Sequence, residues 1–343
     1  HNGEPFNADA VKFTFDRLLG DEGKKGPQQS NYNAIEKVVV VNANTVDFLL
    51  KNPDPVLLTK LAGYGAMIVP PKYITEKGSA YFGANPVGTG PFKFVDYKPK
   101  VSLSFERNAS YWGGAPKLDN LVYRFITEPA TQAAELQAGR IDVANQIPLA
   151  MIDTLKKDSK LAVQSMDGPV ALAMRYNTQR GIMKNKEVRK ALTMAIDKAA
   201  IIEAVYQGAG QDAKNLIPPT MWSYNDAVTD DAYDPEAAKK MLEEEGVKDL
   251  AMKVWAMPVQ RPYMPNARRT AELMQEDFAK VGVTVEIVSY EWGEYLKKST
   301  EVARDGAVIL GWTGDNGDPD NFLGVLLSCG ATGEGGANRA QWC

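Results

Sequence analysis

The second half of the chain alternates segments of helical and of strand periodicity. Apolar residues at three- and four-residue spacing predict a single helix over residues 186–206. The inward face of this helix is predicted to consist of Val188, Leu192, Ala195, Ile196 and Ala199. Asp234 and Pro235 mark the cap and the first turn of the next helix, and Gly246 follows its end.

A β-α-β unit is predicted farther along the chain. Strands over residues 252–257 and 283–288 flank a helix over residues 266–281, which ends at Gly282. Because such crossovers are right-handed, the two strands are expected to be parallel neighbours in one sheet. Residues 307–310 add a further short apolar strand. The pattern therefore predicts an α/β fold.

The first half of the chain contains shorter elements. Asn7 is expected to cap a helix that ends at Gly20. The apolar face of this helix consists of Val11, Phe15, Leu18 and Leu19. Residues 38–41 and 45–50 have strand character and flank Asn42-Ala43-Asn44, which is typical of a β-hairpin.

Further elements and two breaks complete the pattern. Residues 92–97 and 101–106 are predicted as strands, and residues 129–138 as a helix. Two stretches rich in Gly and Pro, residues 83–91 and 167–169, indicate boundaries between parts of the chain.

Composition narrows the class of protein. The chain has 343 residues, of which 44% are hydrophobic and 24% charged, as in ordinary soluble globular domains. This length corresponds to roughly two or three domains. No apolar run approaches the roughly 18 residues that a membrane-spanning helix needs. The formal net charge of −4 provides no basic excess, so we expect no nucleic-acid partner.

Two scarce residue types exclude several kinds of chemistry. His1 is the only histidine, so a Ser–His–Asp triad, a Cys–His pair and a zinc site with histidine ligands are not expected. The only cysteines, Cys329 and Cys343, bracket a Gly-rich stretch. This arrangement favours a disulfide that closes a loop in an oxidising compartment, and two separate free thiols are the alternative.

Two segments with charged residues are expected at the ligand-binding edge of the predicted sheet. In open α/β sheets, ligands bind outside the carboxyl ends of the strands. Residues 258–265 and 311–320 leave strands at such ends and carry Arg261 and Asp315, respectively. Opposite charges in one crevice indicate a ligand with both an anionic and a cationic group.

Neighbouring residues add candidates to this site. The aromatic residues Tyr263, Trp292 and Trp312 lie beside the two segments and are predicted to contact the ligand, although aromatic residues more often belong to a core. Arg268 and Arg269 are alternatives to Arg261 as the anion anchor. They fall on the following helix, where a solvated face is the simpler interpretation.

The acidic residues 315–320 also permit a calcium site or a glycosidase site. An EF-hand needs glycine at its sixth position and glutamate at its twelfth, where this chain has Asp320 and Leu326. A turn whose side chains bind their own backbone fits the composition better. A glycosidase needs two separated carboxylates, and no second carboxylate motif stands out. We find no catalytic nucleophile or base and expect no enzyme activity, no metal site and no cofactor.

Six segments spread over the chain carry a family pattern. They are NGEPFNADAVKF (2–13), NPVGTGPF (85–92), RNASYW (107–112), LQAGRID (136–142), NKEVRKAL (185–192) and AID (195–197). The chain resembles the extracytoplasmic peptide-, nickel- and oligopeptide-binding proteins that supply ABC importers. Three further segments, QRPY (260–263), YEWGEY (290–295) and GWTGDNGDPDNF (311–322), are most similar to the dipeptide-binding members.

The resemblance implies roles for individual residues. Asp315 would hold the ammonium group of a dipeptide and Arg261 its carboxylate, while Tyr263 and Trp292 would line the pocket. The two cysteines match a disulfide of the dipeptide-binding members. Haem or another peptide-like or chelate cargo of the same family is the alternative. A carrier of this kind would deliver its ligand to the permease subunits of an importer.

The resemblance also implies an architecture. It is a two-lobed periplasmic-binding-protein-like α/β fold, class II and cluster C in type, with an extra accessory domain. Residues 1–85 would belong to the accessory domain and residues 86–168 to the first lobe. Residues 169–343 would form part of the second lobe and carry most ligand contacts, with a hinge near Gly168. Such relatives extend beyond both ends of this sequence, so we expect an internal piece of a monomeric protein. Its location would be periplasmic, or extracytoplasmic and lipid-anchored in a Gram-positive organism.

Overall fold

The computed structural model describes residues 1–26, 28–333 and 336–343. Glu334 and Gly335, within the Gly-rich stretch between the cysteines, therefore lie outside the described residues. The chain divides into two compact units, His1–Glu135 and Leu136–Cys343. The three-part division at residues 1–85, 86–168 and 169–343 stays a prediction. In the described part of the chain, no helix combines the length and apolar character needed to cross a membrane.

The first unit contains two antiparallel sheets and short helices. Its strands are β1 (Ile35–Asn42), β2 (Thr45–Leu50), β3 (Phe92–Lys98), β4 (Ser102–Arg107) and β5 (Asn120–Arg124). Its helices are α1 (Ala8–Leu19), α2 (Leu57–Leu61), α3 (Pro71–Lys77) and α4 (Ser79–Ala84), and α5 (Pro129–Gln137) crosses the unit boundary. The sheets are the pair β1-β2 and the three-stranded sheet β3-β4-β5.

The local signals in the first unit are confirmed. The side chain of Asn7 accepts a hydrogen bond from the backbone N–H of Ala10, and α1 ends before Gly20. β1 and β2 form the predicted hairpin. Phe15 of α1 is fully buried beside Tyr32, with 5.8 Å between their ring centroids. Ile35 and Val38 of β1 and the apolar face of α1 thus supply one core.

The second unit is built on a mixed four-stranded sheet in the order β6-β9-β7-β8. Its strands are β6 (Val170–Tyr176), β7 (Ala251–Trp255), β8 (Thr284–Val288) and β9 (Ala307–Thr313). Its helices are α6 (Leu149–Lys156), α7 (Lys186–Met194), α8 (Lys198–Tyr206), α9 (Pro235–Glu244), α10 (Ala267–Lys280), α11 (Trp292–Ser299) and α12 (Asp320–Leu327). Short 3-10 helices cover Gly23–Lys25, Gln29–Tyr32 and Tyr64–Ala66 in the first unit and Gly181–Lys184 and Cys329–Ala331 in the second.

The predicted β-α-β unit is confirmed. β7 and β8 are parallel neighbours, and α10 connects them. β9 also runs parallel to β7, whereas β6 pairs with β9 in the antiparallel direction. The largest core of the unit includes Phe278 of α10 and Ile309 of β9, both fully buried.

The single helix predicted over residues 186–206 is wrong. The chain forms α7 and α8 with a break at residues 195–197. Asp197 causes the break because its side chain caps α8, accepting a hydrogen bond from the N–H of Ala200. Because α8 is a separate helix with its own axis, a different set of its residues faces the core. Ala199, predicted to be inward, is exposed, and α8 instead buries Ile201 and Val205.

Candidate ligand-binding site

Two loops leave the same edge of the second unit's sheet, as the sequence predicts. β7 and β9 are parallel, so their carboxyl ends lie at one edge. The second loop, however, does not begin at Gly311 as expected. β9 continues to Thr313 because β6 pairs with it as far as Val170 opposite Thr313. Gly311 and Trp312 are therefore strand residues, and the loop begins at Gly314.

A tight turn after β7 holds Arg261 in place. The N–H of Arg261 donates to the carbonyl of Met264 at 3.0 Å, and the N–H of Met264 donates back at 2.8 Å. Cζ of Arg261 lies 4.3 Å from the centroid of the Trp292 ring, a cation–π contact. Trp292 stacks in turn on the fully buried Tyr295, with 5.8 Å between centroids. No carboxylate forms an ion pair with Arg261 among the described residues, so its charge is free to meet an anion.

Tyr263 lies against the backbone of β9. A Cβ atom at Gly311 would come within 2.3 Å of Cδ2 of Tyr263, so this position requires glycine. The carbonyl of Tyr263 accepts a hydrogen bond from the hydroxyl of Tyr206 at 2.8 Å. Burial raises the pKa of Tyr263, and the positive charge of Arg261 opposes this shift. The two predicted residues Arg261 and Tyr263 thus share one electrostatic environment.

Asn321 connects Trp312 to Asp315, and sequence reasoning did not find it. Its side-chain oxygen accepts hydrogen bonds from Nε1 of Trp312 at 2.8 Å and from the backbone N–H of Asp315 at 2.9 Å. Its amide nitrogen lies 3.4 Å from Oδ2 of Asp315. Asn321 is only 3% exposed, which distinguishes it from the acidic residues before it. An amide in the first turn of a helix after an acidic loop was the available signal.

Asp315 as a residue is exposed, but protein partly shields its carboxylate, which forms no ion pair among the described residues. Desolvation by the surrounding protein raises the pKa of Asp315, and the hydrogen bond from Asn321 partly opposes that shift. A raised pKa means that the free site disfavours the charged carboxylate. A cation placed beside Asp315 would relieve that cost.

The five predicted residues therefore fall into two groups around β9. Arg261 and Trp292 are in contact, and Tyr263 lies against Gly311. Trp312 and Asp315 share Asn321 as their partner. Gly311 and Trp312 are consecutive in β9 and therefore face opposite sides of the sheet. Accordingly Tyr263 packs against one apolar cluster and Trp312 against another, and the two groups share the strand but not a contact.

The competing candidates have other partners. Arg268 and Arg269 are exposed on α10, where both pair with Glu272, at 2.9 Å and 3.7 Å. This supports the interpretation of a solvated helix face. In the acidic loop, the side chain of Asp318 accepts a hydrogen bond from the N–H of Asp320 at 2.9 Å, as expected of a turn. The described residues contain no group of three or more His, Cys, Asp or Glu side chains arranged to hold a metal ion.

The cysteine pair forms the predicted disulfide. Cys329 and Cys343 are bonded, with 4.9 Å between their Cα atoms. The bond closes the segment that follows α12. Inside this segment Asn338 is fully buried and donates hydrogen bonds to the carbonyls of Ser328 and Trp342.

Known proteins are similar to this chain over almost all of its length. Residues 1–334 match the family model described as "Bacterial extracellular solute-binding proteins, family 5 Middle". The dipeptide-binding protein of Escherichia coli (strain K12) is 43% identical over 98% of this chain and 65% of its own length. Heme-binding protein A of Haemophilus influenzae is 39% identical over 98% of this chain and 64% of its own length. The chain thus spans less than two thirds of the length of these curated relatives.

A solved structure shows the same fold. The crystal structure of the dipeptide-binding protein from Pseudoalteromonas sp. SM9913 in complex with Met-Leu matches with a TM-score of 0.89 and 35% identity. The match covers 100% of this chain and 70% of that chain. The predicted α/β fold of the periplasmic-binding-protein type is therefore confirmed.

Proposed function

The chain belongs to the bacterial extracellular solute-binding proteins of family 5, and on this basis we propose that it captures dipeptides for an ABC importer. The proposed role is binding and delivery to the membrane permease, with no catalytic step. Similarity to proteins named for dipeptide binding supports the cargo. We propose a periplasmic location, or a lipid-anchored extracytoplasmic one in a Gram-positive organism.

The observation that carries the proposal is a pair of opposite charges, each without an ion-pair partner among the described residues, on two loops at one sheet edge. Arg261 is held by its turn and by Trp292, and Asp315 is held through Asn321. In the proposed complex Arg261 receives the carboxylate of the peptide and Asp315 receives its ammonium group. Tyr263, Trp292 and Trp312 form apolar walls beside the peptide.

Fixed charges at both ends explain selection by length. Each added residue lengthens an extended peptide by about 3.3 Å, so a tripeptide cannot meet both anchors without distortion. Charge-assisted hydrogen bonds contribute about 1.5–3 kcal/mol each, and micromolar affinity needs about 8 kcal/mol. The remainder would come from backbone hydrogen bonds and the aromatic walls. Because the termini supply much of the free energy, we expect weak selection among side chains.

The three-part organisation is proposed together with this role. Residues 1–85 would belong to the accessory domain, residues 86–168 to the first lobe and residues 169–343 to the second lobe, with the hinge near Gly168. All five proposed ligand contacts lie in the last of these parts.

Haem is the second candidate cargo, because a haem-binding relative is 39% identical to this chain. A direct comparison separates the two. Protein freed of ligand by dialysis is titrated with a dipeptide in a calorimeter and, separately, with haemin while its Soret band is followed. We expect micromolar binding of the dipeptide and no Soret shift. A Soret shift without dipeptide binding would overturn the proposal.

A further inference from the structure

An arginine lies in the middle of a strand of the second unit, where burial is almost complete. Arg175 is opposite Val308 in the β6–β9 pair and only 8% exposed. Its two terminal nitrogens, Nη1 and Nη2, are buried and have no hydrogen-bond partner among the described residues. A buried guanidinium without a partner is strongly destabilising unless an anion accompanies it.

Two more arginines, Arg304 and Arg339, act electrostatically on Arg175. Arg304 is 2% exposed and donates to the carbonyls of Gly306 and Arg339. Arg339 donates to Ser299 Oγ at 3.3 Å and to the carbonyl of Gly336 at 3.2 Å. Neutral acceptors thus satisfy several of their donors, and none of these bonds supplies a negative charge.

The charges in this cluster do not compensate one another. Burial, together with the positive charges of Arg339 and Arg304, lowers the pKa of Arg175 to about 10, and Tyr263 and Tyr295 oppose the shift. At neutral pH the guanidinium therefore still carries its proton. Asp305 is the acidic residue that acts on Arg304, but its carboxylate pairs with Lys253 at 3.0 Å.

We propose that the second unit binds a small inorganic anion of chloride size beside Arg175. The donors would be Nη1 and Nη2 of Arg175, joined by Nε of Arg304 and Nε1 of Trp255. These last two nitrogens are also buried without a partner among the described residues. Cζ of Arg304 is 6.0 Å from the centroid of the Trp255 ring, so both belong to one neighbourhood.

The burial of these donors restricts the ligand. Arg175 and Trp255 expose only 8% and 3% of their surfaces, so their donors are out of reach of a bulky ligand such as a peptide and would meet a single small ion. Neither Arg261 nor Asp315 takes part, but Tyr263, a proposed wall of the peptide site, interacts electrostatically with Arg175 and Arg339, so the anion site would lie next to the dipeptide clamp. Its role would be to stabilise the sheet from which the ligand-binding loops leave.

The test compares thermal unfolding in sodium chloride and in sodium gluconate at equal ionic strength. Chloride at about 100 times its Kd is expected to raise the midpoint of the purified protein by about 4 °C. Arg175→Met, which keeps an unbranched side chain, should lose this increment. In gluconate it should be at least as stable as the parent, because an uncompensated buried charge has been removed. Arg268→Met is the matched control on an exposed helix face and should keep the increment.

Equal chloride increments in the parent and in Arg175→Met would overturn the proposal. A second measurement does not depend on a variant. Crystals of the parent grown in bromide should show an anomalous peak within hydrogen-bonding reach of Nη1 and Nη2 of Arg175. Absence of that peak at saturating bromide would also overturn it.

Discussion

Replacing Asp315 by asparagine isolates one charge of the proposed clamp. The substitution keeps the size of the side chain and an oxygen acceptor for the amide of Asn321, which lies 3.4 Å from Oδ2. What it removes is the negative charge that would face the ammonium group of the peptide.

The expected loss of affinity follows from the free energy of one charge-assisted hydrogen bond. A charge-assisted hydrogen bond contributes about 1.5–3 kcal/mol, and each 1.4 kcal/mol is about tenfold in Kd. We therefore expect Asp315→Asn to weaken dipeptide binding by at least about tenfold. Stability should hardly change, because Asp315 is exposed and forms no ion pair among the described residues. Exposed substitutions of this kind usually change the free energy of unfolding by less than about 0.5 kcal/mol.

Calorimetric titration with one dipeptide measures the affinity, and thermal unfolding checks the fold. Asp318→Asn is the matched control, because it removes the same charge from the same loop. Its oxygen can still accept the hydrogen bond from the N–H of Asp320. Unchanged affinity in Asp315→Asn would refute the ammonium role. An equal loss in Asp318→Asn would show that net charge, and not contact, controls binding.

Three further predictions concern the two loops and the adjoining strand β9. Arg261→Ala should weaken the binding of a free dipeptide by about tenfold or more but hardly change the binding of the same peptide with an amidated C-terminus. Arg268→Ala is the control and should affect neither ligand. Equal losses of affinity for both ligands would exclude Arg261 as the carboxylate anchor. Because the pKa of Asp315 is raised, its carboxylate is charged at neutral pH but takes up a proton above the ordinary aspartate pKa of 3.8. The affinity for the dipeptide should therefore be full at neutral pH and begin to decline on acidification before pH 3.8 is reached. Asp315→Asn should lack this decline in a plot of affinity against pH. Gly311→Ala would place a Cβ atom 2.3 Å from Cδ2 of Tyr263 and should lower the free energy of unfolding, measured in urea, by about 1–3 kcal/mol. An unchanged free energy of unfolding would contradict the close contact.

Local signals in the sequence were sufficient for elements whose determinants are near in the chain. The cap at Asn7 and the α10 crossover between β7 and β8 depend on neighbouring residues or on a general chirality rule. The break between α7 and α8 depends only partly on such a local signal, the cap at Asp197. The backbone N–H of Asp197 donates to the carboxylate of Asp277, 80 positions farther along. A distant partner therefore stabilises an interruption that apolar spacing does not show.

In the candidate site, too, features with local signals were predicted and features that depend on distant partners were not. Arg261 and Asp315 followed from charge and from the positional rule for parallel strands. The extension of β9 to Thr313 did not, because it depends on pairing with β6, a strand that was not predicted. Asn321 was missed because the sequence signal, an amide in the first turn of a helix after an acidic loop, does not show that this amide is buried between Trp312 and Asp315. Long-range pairing and polar burial are thus what the pattern of apolar residues leaves open.

The most direct test of the central claim is a calorimetric titration of the purified protein with three ligands. They are a dipeptide, its N-acetylated form and the matching tripeptide. Capture through both charged ends predicts tight binding of the free dipeptide and affinities at least about tenfold weaker for the other two. Equal affinity for all three would contradict the account, because a clamp between Arg261 and Asp315 requires both free termini at one fixed separation.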